Sequence, residues 1–172
     1  MNIIISGGSK GLGKDLVSKF LNRGSNVINL SRTRNNTINS NLFNYKVDLI
    51  FEKNTLKTIK KIKKRHGKID LIICCVGSGK SVPAGKKNKK SWDQSLSTNF
   101  FSATNLIESY LSVYKNKKTK IILISSIAGL KIIDAPITYS VAKAALNYYG
   151  KMKSKHLAKY NINLNIISPG NI

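Results

Sequence analysis

Acidic residues are scarce in this chain: seven Asp and Glu stand against thirty Lys and Arg, a formal charge of +23 over 172 residues. A field of that sign attracts polyanions. Yet 26 of the 30 cations are lysines spread along the whole chain, and no groove of arginines and aromatics stands out. The expectation is therefore no specific nucleic acid, and a lysine-asparagine compositional bias on a solvated surface. Cysteine is nearly absent too. Cys74 and Cys75 are adjacent, and strand neighbours point to opposite faces, which places them poorly for a mutual disulfide or a shared metal. They read as reduced core residues of a cytoplasmic protein. No apolar run approaches the ~18 residues of a membrane span, and no signal peptide is expected at the start. The two histidines, His66 and His156, lie on or beside basic helices and read as surface residues. No metal-ligand cluster is visible.

Apolar residues make up 41% of the chain, and they fall into segments that alternate strand and helix. Strands are predicted at 2–5, 26–30, 42–48, 69–77, 120–126 and 162–168. Helices are predicted at 12–23, 55–64, 92–114 and 139–159. The stretch 77–90 has glycines, a proline and five lysines without periodicity, and reads as a loop. This order predicts one α/β domain over 1–172, a doubly wound parallel sheet of about six strands with helices on both faces.

The first strand runs into "SGGSKGLG", with glycines at 7, 8, 11 and 13. A glycine-rich turn between strand and helix brings backbone N–H groups up to a pyrophosphate, which then sits at the helix N-terminus. No Gly-Lys-Ser/Thr sequence ends the loop, which argues against a triphosphate-binding P-loop. The second strand ends in Ser31 and Arg32, with no acid before Asp48. An acid there binds the ribose hydroxyls of NAD, whereas a guanidinium forms a charge-assisted fork with a 2′-phosphate. Arg32 and Lys10 together favour NADP over NAD.

The fifth strand ends in Ser125 and Ser126, and the next helix opens with Tyr139-Ser-Val-Ala-Lys143. Residues four apart share a helix face, and an ammonium beside a phenol stabilises tyrosinate, making it a usable acid or base. A serine hydroxyl at a strand's carboxyl end can hydrogen-bond a substrate oxygen.

Taken together, the glycine loop, the strand-end serine and Tyr-x-x-x-Lys resemble the short-chain dehydrogenase/reductase family in its classical form. Its Thr-Gly-x-x-x-Gly-x-Gly motif is matched by Ser6 to Gly13, and the resemblance puts Gly7, Ser9, Lys10, Gly11, Leu12 and Gly13 on the cofactor. It adds Ser31 and Arg32 after the second strand, Asp48 and Leu49 at the adenine, and Gly77 beside the adenosine ribose. Pro169 and Gly170 would border the nicotinamide. The implied catalytic tetrad is Asn99, Ser126, Tyr139 and Lys143. The family's thirteen-residue spacing selects Ser126 over Ser125. Tyr139 would be the proton donor, Lys143 would hold the nicotinamide ribose as well, Ser126 would orient the carbonyl, and Asn99 would hold a relay water.

The implied reaction is hydride transfer between NADP and a small-molecule carbonyl or alcohol, and the basic surface suits an anionic one. A homodimer or homotetramer built on the helices at 92–114 and 139–159 is also implied. Two departures stand out. The family's Asn-Asn-Ala-Gly is Cys74-Cys75-Val76-Gly77 here, and the chain reads as truncated after its sixth strand. The alternative is a catalytically impaired dinucleotide-binding protein or fragment.

Overall fold

The computed structural model describes residues 1–79, 88–114 and 118–170. Six parallel strands, β1 (Asn2–Ser6), β2 (Asn26–Ser31), β3 (Leu42–Lys46), β4 (Leu71–Cys74), β5 (Lys120–Ile124) and β6 (Asn163–Ile167), form one sheet. Their spatial order is β3-β2-β1-β4-β5-β6. The helices are α1 (Gly11–Asn22), α2 (Glu52–His66), α3 (Lys89–Leu96), α4 (Ser102–Val113) and α5 (Ile137–Ala158).

Burial on both faces explains the unbroken apolar runs of the strands. In β1, Ile4 packs with Ile28, Ile72 and Ile121 against α2, α4 and α5. Its neighbours Ile3 and Ile5 turn to the other face and pack with Val27 and Ile73 against Val17 and Leu21 of α1. Helices therefore cover both faces, unevenly among the described residues: α1 alone on one, three on the other.

Several boundaries differ from the sequence-based expectation. β4 spans 71–74 rather than 69–77. Past Cys74 the backbone N–H groups of Cys75 and Val76 donate to the Ser6 hydroxyl, at 2.9 and 3.4 Å, so the ladder ends on a side chain. β3 stops at Lys46, two residues early. The single long helix expected at 92–114 is three pieces, α3, a π-helical turn at Ser97–Phe101, and α4. The irregular loop expected at 77–90 lies outside the described residues over 80–87, as do positions 171–172. His66 is not a free surface residue. Its ring meets Tyr45 Oη at 3.0 Å and the Phe43 ring edge-on, and burial, with Arg65 beside it, pulls its pKa down.

No helix among the described residues is long and apolar enough to cross a membrane.

Candidate active site

The order reversal at β1 opens a crevice at the carboxyl ends of the strands, and a cavity of about 960 Å³ fills it. Every sequence-predicted site residue except Asn99 lines this cavity.

At one end is the glycine loop. Gly7 has a φ of +73° and Gly11 of +52°, both in the left-handed region. A Cβ on Gly13 would stand 2.3 Å from the Gly7 carbonyl oxygen, so α1 starts backbone against backbone with the loop. Lys10, the residue before α1, gives no side-chain cap, and the first turn holds no acid. The first N–H groups of α1 thus have no side-chain cap, and the helix dipole there favours an anion.

Across from this loop stand Ser31 and Arg32. The Thr33 hydroxyl donates to Ser9 Oγ at 2.9 Å and ties the two segments together. Lys10 and Arg32 are both exposed and reach the same cavity. Asp48 closes this end, its carboxylate accepting from Ile50 N at 3.3 Å. Leu49 is 3% exposed and belongs to the core, so it provides wall rather than a polar contact.

Sequence reasoning missed what braces this end. Asn35 is buried and donates to the Gly8 carbonyl at 2.6 Å, while Asn44 joins it to Asn29. Asn29 in turn donates to Ser31 Oγ. This side-chain network holds the glycine loop against the end of β2. The only signal was the abundance of asparagine, read as compositional bias.

At the other end, Ser125 and Ser126 part company. The Ser125 hydroxyl donates to the Lys143 carbonyl at 3.2 Å and anchors α5. Ser126 Oγ accepts from Ala128 N at 3.2 Å, which leaves its proton to donate into the cavity. Ile127 N donates to the Pro169 carbonyl, which joins the Pro169-Gly170 turn to the serine loop.

Tyr139 and Lys143 lie one turn apart on α5, with the Lys143 Nζ 5.8 Å from the centre of the Tyr139 ring. Lys143 is 3% exposed and donates to the Ile124 carbonyl at 2.9 Å. Burial is the main reason its pKa falls to about 8. A Cβ on Gly129 would stand 2.5 Å from the Lys143 carbonyl carbon, so the turn after Ser126 packs directly on the helix at Lys143.

Asn99 sits in the π-helical turn, 1% exposed, behind the cavity wall. Its Oδ1 accepts from Ser78 N at 2.8 Å and its Nδ2 faces the carbonyls of Ser78 and Ser95. A Cβ on Gly77 would stand 3.2 Å from Lys143 Nζ and 3.3 Å from Asn99 Oδ1, so Gly77 admits both groups to one place.

The two cysteines separate. Cys74 is in the core, its thiol pushed up to about 12 by burial, whereas Cys75 lies past the end of the strand, packs partly buried against the core on the α1 face and also lines the cavity. Burial raises the Cys75 pKa and the neighbouring Lys143 charge opposes that rise.

The Tyr-x-x-x-Lys spacing recurs lower on α5 at Tyr149 and Lys153. There both side chains hold Glu108 of α4, at 2.7 and 2.9 Å, and neither lines the cavity. That pair fastens two helices.

A parallel sheet with its order reversed at β1, a glycine loop at the reversal and a strand-end serine facing Tyr-x-x-x-Lys define a dinucleotide-type oxidoreductase fold. The short chain dehydrogenase family model matches residues 1–172, and the chain belongs to that family. The chain is similar to 3-oxoacyl-acyl-carrier-protein reductase FabG of Buchnera aphidicola, 27% identical over 96% of this chain and 71% of that protein. An uncharacterized oxidoreductase of Schizosaccharomyces pombe is 30% identical over 98% of this chain and 59% of its own length. Among solved structures, a short chain dehydrogenase from Leptospira borgpetersenii with bound NAD+ superposes with a TM-score of 0.94 at 24% identity. It is matched over 99% of this chain and 71% of its own. ElxO with NADP bound gives 0.89 at 25% identity, over 98% and 73% of the two chains.

The lowered Lys143 pKa has a consequence for stability. Between about 8 and the ordinary 10.5 the unfolded chain binds the proton and the folded chain does not. Lys143 therefore weakens the fold most below about pH 8, and stability recovers as the pH rises through that window. Urea denaturation of the cofactor-free chain should show the stability of wild type relative to Lys143→Met rising from pH 7 to pH 10. A flat or falling difference would contradict the buried placement.

Proposed function

We propose that the chain is an NADP-dependent oxidoreductase acting on a carbonyl or alcohol through Ser126, Tyr139, Lys143 and Asn99. The observation that carries this reading is the convergence of Ser126, Tyr139 and Lys143 on the same cavity as the glycine loop. The residues present fit a dinucleotide: Gly7, Gly11 and Gly13 line the cavity, nothing stands within 4 Å of where a Gly11 Cβ would be, and the N–H groups of α1 lack a side-chain cap.

In this reading the Gly7–Gly13 loop, with Ser9 and Leu12, takes the pyrophosphate. Ser31, Asp48 and Leu49 border the adenosine, and Gly77 its ribose. Arg32 and Lys10 neutralise a 2′-phosphate, and Asp48 is the one carboxylate among the residues lining the cavity. Pro169 and Gly170 flank the nicotinamide end. When bound, the dinucleotide supplies or accepts the hydride. Ser126 donates a hydrogen bond to the substrate oxygen and orients the carbon. Tyr139 gives that oxygen a proton in reduction and takes it back in oxidation. The Lys143 ammonium stabilises the phenolate through its charge and reaches the nicotinamide ribose once it exchanges the Ile124 carbonyl. Asn99 fixes the loop at Ser78, which keeps room beside Lys143 for a relay water.

The substrate proposal is an anionic carbonyl compound. The surplus of lysine supports it, and the FabG relatives make an acyl thioester on an acidic carrier the specific candidate. Assembly as a homodimer or homotetramer is supported by exposed apolar side chains on and beside α4 and α5, namely Phe101, Val141, Tyr148 and Met152. Light scattering is expected to return a multiple of the 19.0 kDa chain mass, and a single-chain mass would refute the assembly.

Tyr139→Phe should lower turnover by about 10²- to 10⁴-fold, the range for loss of a positioned acid, with NADPH affinity nearly intact. Unchanged turnover would remove Tyr139 from the reaction. Fluorescence titration of Arg32→Ala should show NADPH weakened by about 10- to 100-fold and NADH hardly at all, as expected for one charge-assisted contact. Equal losses would remove the 2′-phosphate contact.

A further inference from the structure

Beyond Arg32 a second cavity of about 430 Å³ opens between the carboxyl end of β3 and the outer side of α2. Four cations line it, Arg32, Lys46, Lys57 and Lys61, against one carboxylate, Asp48. The cations come from three separate segments. Lys46 is in register with Ser31 on the neighbouring strand and so lies beside the start of the Arg32 loop. Lys57 and Lys61 are one turn apart on α2, on the stripe next to the buried Thr55, Ile59 and Ile62.

None of these four cations takes part in the ion pairs found among the described residues, which join Lys68 to Asp70, Lys89 to Asp93 and Lys153 to Glu108. All four are exposed, and their like charges add over a concave space, which favours an anion placed there. One phosphate would engage only part of a set spread over two walls. A short chain of phosphates offers several anionic groups to cations on both walls. Lysine ammonium groups act on phosphate as point charges, without the planar fork that arginine offers, so three of the four contacts read charge and not shape.

We propose that this cavity binds an oligophosphate chain, free or as the tail of a nucleotide. We further infer that its occupancy opposes binding of the 2′-phosphorylated dinucleotide, because Arg32 lines both cavities. The second part rests on the NADP reading above, and the first does not.

Calorimetric titration of the cofactor-free chain with inorganic tripolyphosphate, and in parallel with ATP, tests the site at about 0.15 M salt, where diffuse attraction is screened. Tripolyphosphate should bind saturably, with the glycine loop open to it as a second site, and the double variant Lys57→Ala/Lys61→Ala should weaken one binding component by about tenfold or more. Lys151→Ala/Lys155→Ala, which removes the same charge from exposed positions of α5, should leave it unchanged. Equal weakening by both pairs, or binding of ATP without tripolyphosphate, would overturn the site. Tripolyphosphate should also raise the apparent Kd of NADPH more than that of NADH, and should lose that difference in the Lys57/Lys61 variant. Saturable binding with the two Kd values moved equally, or not at all, would overturn the competition alone, and the Arg32→Ala titration separately reports whether the NADP reading has failed.

Discussion

Because β1 lies between β2 and β4, the chain leaves its end toward one face while β4 leaves toward the other, and the two must part. The β1–β4 ladder ends there, at Ser6 and Cys74. The Ser6 hydroxyl takes over, accepting from Cys75 and Val76 across the gap. Gly7 comes so near the same segment that a Cβ would sit 3.2 Å from Val76 N. What is left open between these elements is the site. The glycine loop, the start of α1 and the turn after β4 all take their positions from this one reversal.

Packing then carries the geometry from the crevice to the chemical end. Gly129 lets the turn after Ser126 lie on the backbone of α5 at Lys143, and Ser125 bonds the Lys143 carbonyl. Serine, tyrosine and lysine are thereby set by backbone contacts, which hold position better than long side chains can. The cost is a nearly buried ammonium, and its lowered pKa shows it. A bound dinucleotide that presents hydroxyl oxygens at Lys143 would offset part of that cost.

Much of the fold and the outline of the site were legible in the sequence because their signals are local. Strand runs such as "IILI" and the spacing of glycine, serine, tyrosine and lysine need no knowledge of distant contacts. The features that escaped depend on partners far along the chain. β4 ends at Cys74 because a hydroxyl 69 residues away takes over its pairing. The break between α3 and α4 surrounds Asn99, whose side chain is bound to the loop at Ser78. Asn35 acquires a role only when β2 and the glycine loop meet. Composition hid it, since one asparagine among many carries no signal. The same excess concealed which lysines converge on a cavity.

A structure of the chain with NADPH tests the central claim, that one crevice holds the dinucleotide from the glycine loop to Tyr139. The account predicts the pyrophosphate at the N-terminus of α1 and the 2′-phosphate against Arg32. It also places the nicotinamide carbon that exchanges hydride beside Ser126 and Tyr139. A cofactor bound outside the crevice, or one lying in it with its nicotinamide turned away from Tyr139, would contradict it.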